Sequence, residues 1–281
     1  MKSLKIVLCV ATALSIALFA MAIYYTQFYK DVVSPKIQMD ADTVTVSVKD
    51  GESALLEGVT ATDNRDGDIT DTIIVDNVSQ LTGVNSARVR YIVFDKAENY
   101  AIASRTVIYS DYEAPTISIL QPLIYNVGDT VALRGRVIAR DCLEGNITST
   151  IRLSSQDLNN KSAGTYHLTI WAMNRLGDVS NVTVPVIVRE EDPFAPVISL
   201  STYLIYLERG AEFEPKTYFQ SAFENENSSL HIFYDDLEVE NEVDTDTPGT
   251  YEVTYSTINR AGLTSKVILT VVVQEKMEGQ S

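Results

Sequence analysis

The sequence predicts an all-β chain: three tandem β-sandwich domains behind one N-terminal transmembrane helix. Three observations predict it. An uncharged run covers Ile6 to Tyr25, the remainder repeats with a period of about eighty residues, and apolar and polar residues alternate with period two inside each repeat.

The N-terminal element comes first. Residues 1–30 carry Lys2, Lys5 and Lys30 and no acid. Twenty helical residues span about 30 Å, the thickness of one hydrocarbon core, so the apolar run is long enough to cross a bilayer. The leading lysines hold the N-terminus in the cytoplasm and place everything after the run outside the cell membrane. Tyr24, Tyr25, Phe28 and Tyr29 then fall at the outer interface, where amphipathic rings are favoured. A cleaved signal peptide reads on the same residues, with Ala20-Met21-Ala22 as its A-x-A-like site, and the chain is then secreted. The run is longer than the about 7–15 apolar residues of a signal, which favours a retained anchor. Cys9 stands inside the run behind Leu8, which does not suit a lipid-anchor site.

The repeats are marked by three landmarks. Pro35-Lys-Ile37, Pro115-Thr-Ile117 and Pro196-Val-Ile198 open them, 80 and 81 residues apart, which sets domains at 35–114, 115–195 and 196–276 behind the 1–30 segment. Inside the first, Ala61-Thr-Asp-Asn-Arg-Asp-Gly-Asp-Ile-Thr70 matches Ala139-Arg-Asp-Cys-Leu-Glu-Gly-Asn-Ile-Thr148 at an offset of 78. Ala, Asp, Gly, Ile and Thr recur in place, with Asp/Glu and Asp/Asn exchanges between them. The third repeat keeps only a faded copy, Ala222 to His231, without the glycine.

The last landmark is a strand pair. Gly164-Thr-Tyr166 through Gly177 aligns with Gly249-Thr-Tyr251 through Gly262, and the first repeat joins at Val89. Alternate positions define an inward set: Val89, Tyr91 and Val93; Leu168, Ile170 and Ala172; Val253, Tyr255 and Thr257. An Asn/Asp corner follows, with a glycine free to take positive φ in the second and third repeats. Each repeat closes on a β-branched run, and Pro185 demotes its stretch to an edge or bulge. About seven short strands per repeat, with turn signals between, is the pattern of an immunoglobulin-like sandwich. Tyr166 and Tyr251 stand where the tyrosine of a tyrosine corner enters its strand.

These motifs resemble the bacterial immunoglobulin-like repeats found in surface proteins and in pesticidal crystal proteins. The likeness is close in the first repeat, moderate in the second and weak in the third. It implies exported, tandemly arrayed sandwich modules of the bacterial cell surface, and no reaction.

Charge and composition narrow the function. The chain has 38 acidic and 22 basic side chains, −16 net; since 1–30 holds three lysines, the remainder carries −19. Nucleic-acid binding rests on Lys/Arg neutralising phosphates, so no nucleic-acid partner is expected. With Cys9 in the membrane, the remaining cysteine and the two histidines cannot build a closed zinc site unless carboxylates complete it, and Cys9 cannot pair with Cys142 outside. His167 and His231 lie in different repeats without a nucleophile motif, and His167 reads as an uncommitted outward residue. No catalytic residue is assigned.

Two candidate sites remain. Asp63, Asn64, Asp66 and Asp68 offer oxygen donors of the kind Ca²⁺ takes, with linker acids of a neighbouring repeat to complete the shell. The same residues also cap a tight turn in which Gly67 is left-handed. The spacing is not that of an EF-hand, and Cys142 and Leu143 replace Asn64 and Arg65 in the second repeat. Trp171 alternates with buried Ile170 and Ala172, so it points outward as a candidate recognition residue unless a neighbouring loop covers it. The sequence thus predicts a non-enzymatic surface stalk for adhesion, or for binding a protein or glycan. The alternatives are a calcium-rigidified adhesin module and an accessory subunit of an envelope or secretion assembly.

Overall fold

The computed structural model describes residues 2–28, 30–155 and 157–275. Tyr29, the 276–281 tail and the side chain of Phe28 lie outside the described residues, so the interfacial placement of those two rings does too. The chain forms two compact units, 1–112 and 113–281.

The first unit opens on helix α1 (Lys2–Phe28). Its Lys5–Tyr25 stretch has mean hydropathy 2.7 and none of it is buried, so 21 residues long and apolar enough to cross a membrane face outward. Seven strands follow: β1 (Lys36–Met39), β2 (Thr43–Val46), β3 (Val59–Asp63), β4 (Gly67–Asp68), β5 (Ile74–Val78), β6 (Ser86–Phe94) and β7 (Tyr100–Tyr109). They build two sheets, in the orders β1-β3-β4 and β2-β7-β6-β5. Within β6 the alternation is realised in full: Ala87, Val89, Tyr91 and Val93 are buried while Arg88 and Arg90 are exposed. The strand β2 runs parallel to β7, Thr43 opposite Thr106 and Val46 opposite Tyr109.

Arg105, on β7, is 2% exposed inside this sandwich. Its guanidinium donates to the Tyr91 hydroxyl at 2.9 Å and to the carbonyls of Leu55 and Glu57, with Asp40 at 3.5 Å. The short helix α2 (Glu52–Leu55) and the loop behind it are thereby fastened to the core. A buried charge is tolerated because carbonyl dipoles and a hydroxyl replace its water.

The second unit carries two further sets of seven strands. One comprises β8 (Thr116–Ile119), β9 (Ile124–Asn126), β10 (Val137–Asp141), β11 (Gly145–Asn146), β12 (Arg152–Ser154), β13 (Gly164–Met173) and β14 (Val179–Arg189). The other comprises β15 (Val197–Leu200), β16 (Leu204–Glu208), β17 (Phe219–Phe223), β18 (His231–Ile232), β19 (Glu238–Asn241), β20 (Gly249–Ile258) and β21 (Thr264–Gln274). Both repeat the division of the first unit, β11-β10-β8 with β12-β13-β14-β9, and β15-β17-β18 with β16-β21-β20-β19. Again the second strand of each set pairs parallel with the last, β9 with β14 and β16 with β21. Pro185 falls on β14 just before its pairing with β9 begins at Ile187, so its missing N–H faces an unpaired edge, as its chemistry requires.

One buried apolar cluster runs through both sets, from Ile117 and Ile170 to Tyr255 and Val271. Main-chain bonds tie them too: the Tyr203 N–H donates to the Ile119 carbonyl at 3.1 Å. The expected inward residues are all buried, from Val89 to Thr257. Cys9 and Cys142 are free thiols.

Candidate functional site

The ten-residue motif is a turn, reproduced bond for bond in its two clear copies. Asp63 Oδ1 accepts the N–H groups of Arg65 (2.8 Å) and Asp66 (3.0 Å), and Asp141 Oδ1 accepts those of Leu143 and Glu144 (both 2.9 Å). Asp68 and Asn146 each accept the N–H of the threonine two residues on, and Thr70 and Thr148 close back on Ala61 and Ala139. Gly67 and Gly145 sit at φ +77° and +71°, where a β-carbon is strained. Asp and Thr are present because their short oxygens cap main-chain N–H groups that a turn leaves unpaired.

Electrostatics follow from those bonds. Main-chain N–H groups of Asp66 and Arg65 hold the Asp63 carboxyl below the usual carboxylate range. Asp66 is lowered by the N–H and the ammonium of Lys96, whose Nζ lies 3.1 Å away, and Asp68 by the hydroxyl and N–H of Thr70. Asn64 is exposed. Asp66 and Asp68 therefore serve turn and corner, while Asp63 faces two ways.

Its second oxygen points inward. Among the described residues, one group of three carboxylates has ligand atoms within 4.8 Å of one another: Asp31, Asp63 and Asp95. All three are buried. Asp31 lies between the helix and β1, Asp63 ends β3, and Asp95 opens the corner between β6 and β7. Asp31 and Asp95 were not legible as site residues from local spacing, since three separate segments bring them to Asp63. A signal did exist: Asp95 is an acid where the second and third repeats have Asn174 and Asn259.

Trp171 lies outward on β13, 46% exposed, opposite Asn181 of β14 and Arg152 of β12. Met173 and Val179, paired with each other two positions on, are also exposed. His167 is outward as well, yet it is not uncommitted: Nε2 lies 3.1 Å from Glu252 Oε1, and Nδ1 3.7 Å from Asp157. The isolated reading failed because Glu252 belongs to the next repeat. A cleft of about 760 Å³ in the second unit is lined by Arg189, Glu238, Ser256 and Lys266 among others.

Sheets of three and four strands, a second strand that crosses to pair with the last, and tyrosine corners define an immunoglobulin-like β-sandwich protein. Residues 202–273 match the family model described as bacterial surface protein, Ig-like domain. The match falls on the repeat whose motifs had faded most. It covers β16 to β21, where the Gly-Thr-Tyr entry and the β-branched final strand are intact.

Among curated proteins, pesticidal crystal protein Cry22Aa of Bacillus thuringiensis is 27% identical over 125 residues, 44% of this chain; the chain spans 16% of that relative's length. Among solved structures, the M60 catalytic domain with the CBM51-1 and CBM51-2 domains from Clostridium perfringens ZmpB aligns at 13% identity. It covers 88% of this chain and 31% of that one, with a TM-score of 0.25. The protocadherin gammaB7 EC3-6 cis-dimer structure aligns at 14% identity over 86% of this chain and 74% of that one, with a TM-score of 0.20. Scores this low carry no functional meaning for the chain.

Proposed function

We propose that the chain is a non-enzymatic, single-pass protein of the bacterial envelope, anchored by α1 with its N-terminus in the cytoplasm. Residues 35–114, 115–195 and 196–276 act as three immunoglobulin-like modules outside the membrane, presenting sheet faces to a protein or glycan. The surface-protein match at 202–273, in a chain that starts with an unburied apolar helix, carries this reading. The three sets of β-strands behind α1 support the reading as binding modules.

Protease added to intact cells carrying the full chain with tags at both ends tests it. The C-terminal tag is expected to be lost while the N-terminal tag survives inside; a protected C-terminal tag overturns the orientation. Within the module array, Trp171 supplies the recognition residue. Trp171→Ala is expected to leave the melting point within about 2 °C, as for a surface substitution, while reducing binding to cells or wall material. Unchanged binding removes Trp171 from the contact surface.

A further inference from the structure

We propose that Asp31, Asp63 and Asp95 form a Ca²⁺ site that pins the segment leaving the membrane helix to the first sandwich. The bonding of each oxygen shows why these carboxylates call for a cation. Asp31 Oδ1 accepts the Val33 N–H at 3.0 Å, and Asp95 accepts the Asn99 N–H (2.8 Å) and side-chain amide (2.7 Å). That amide also donates to the Asp31 carbonyl at 3.3 Å. Asp63 Oδ1 is used by the turn. Asp63 Oδ2, by contrast, is buried with no hydrogen-bond partner, on a residue only 9% exposed. The guanidinium of Arg65 stands 3.6 Å from Asp31 and is itself 47% exposed. Three buried carboxylates against one half-exposed charge is an arrangement that desolvation and like-charge repulsion both oppose.

The molecule supplies its own control. At the equivalent place in the second repeat, Asp141 makes the same two turn bonds with Oδ1, but its Oδ2 accepts the Asn174 amide at 2.9 Å. Asn174 aligns with Asp95. Where the corner residue is an amide, the protein satisfies the inward oxygen; where it is an acid, that oxygen meets two more carboxylates. In the third repeat the corner amide of Asn259 is spent on the Phe194 and Glu224 carbonyls. Only the first repeat has exchanged a donor for an acceptor, and a hard cation is what acceptors alone can share.

The dimensions suit calcium. Oxygens within 4.8 Å of one another match opposite ligands on an ion about 2.4 Å from each. Three carboxylates from three segments, with main-chain carbonyls or water to fill the shell, suit the irregular coordination of Ca²⁺ better than the strict octahedron of Mg²⁺. The site stands apart from the binding reading above, because it uses none of the outward surface.

Calorimetric titration of the full chain in detergent with CaCl₂, beside thermal melts in calcium and in chelator, tests the assignment. The wild type is expected to bind one Ca²⁺ at this site and to melt about 5 °C or more higher in millimolar calcium. Asp95→Asn, which installs the arrangement of the second repeat, is expected to lose that ion and to melt in chelator at or above the wild-type temperature. Asp31→Asn, away from the turn, is expected to weaken calcium binding at least tenfold, and decides the matter should Asp95→Asn not fold. A wild type that takes up no calcium at millimolar concentration overturns the site. So does an Asp95→Asn or Asp31→Asn protein that binds it as tightly as the wild type.

Discussion

Arg105 shows what a single residue can decide. Its place on β7 alternates with buried Val107 and Tyr109, so parity puts it inside, while its charge argues for outside. Parity prevails because the carbonyls of Leu55 and Glu57, some fifty residues earlier, receive its N–H groups. No local pattern announces such partners. Arg105→Met would fill similar volume but leave the Glu57 carbonyl and the Tyr91 oxygen short of a donor, with the Leu55 carbonyl keeping only the Tyr91 hydroxyl. It is expected to cost about 3 kcal/mol, read as a lower urea midpoint for the first unit. The inward apolar residues were legible because alternation alone places them; Asp31 and Asp95 were not, because their meaning lies in a meeting of distant segments.

At the scale of elements, turn chemistry was the most readable part. The two tyrosine corners form as expected, Tyr166 donating to the Ser162 carbonyl at 2.9 Å and Tyr251 to the Thr247 carbonyl at 2.8 Å. Tyr251→Phe keeps the ring and removes only this bond, so a loss of about 1 kcal/mol is expected in denaturant titration. Asp244, which accepts the Thr247 hydroxyl at 2.7 Å, steadies the same loop, and that hydroxyl chiefly lowers its carboxyl. The corner after the long strand was only partly readable. Gly177 and Gly262 take φ +75° and +81°, and the first repeat puts Glu98 there at +69°. The fold keeps the conformation at a cost on the order of 1 kcal/mol because Asp95 caps the turn from the other side, through the Asn99 N–H.

For the whole molecule, the strands recur in three sets of seven, two of which fall in one compact unit. An apolar residue that alternates inward looks the same whether its partner belongs to its own sandwich or to the next, so the continuous cluster through 113–281 left no local mark. The shared cluster predicts coupled unfolding. Leu269→Ala, a fully buried position on β21, should cost about 2–5 kcal/mol. Trp171 is the chain's one tryptophan and reports on the preceding set. Its fluorescence melt is therefore expected to shift down with the third set; an unmoved tryptophan transition would show that the cluster does not couple them.

The parallel pairing of second and last strands has a mechanical consequence. When a chain is pulled at its two termini, parallel neighbours drawn in opposite directions slide along one another, so their hydrogen bonds share the load instead of parting one at a time. The grip differs among the three sets. It is shortest at Ile124–Asn126 on β14, longer at Thr43–Val46 on β7, and longest at Leu204–Glu208 on β21. In each set the load drawn from both ends falls on this pairing, and the middle set offers the fewest residues to carry it.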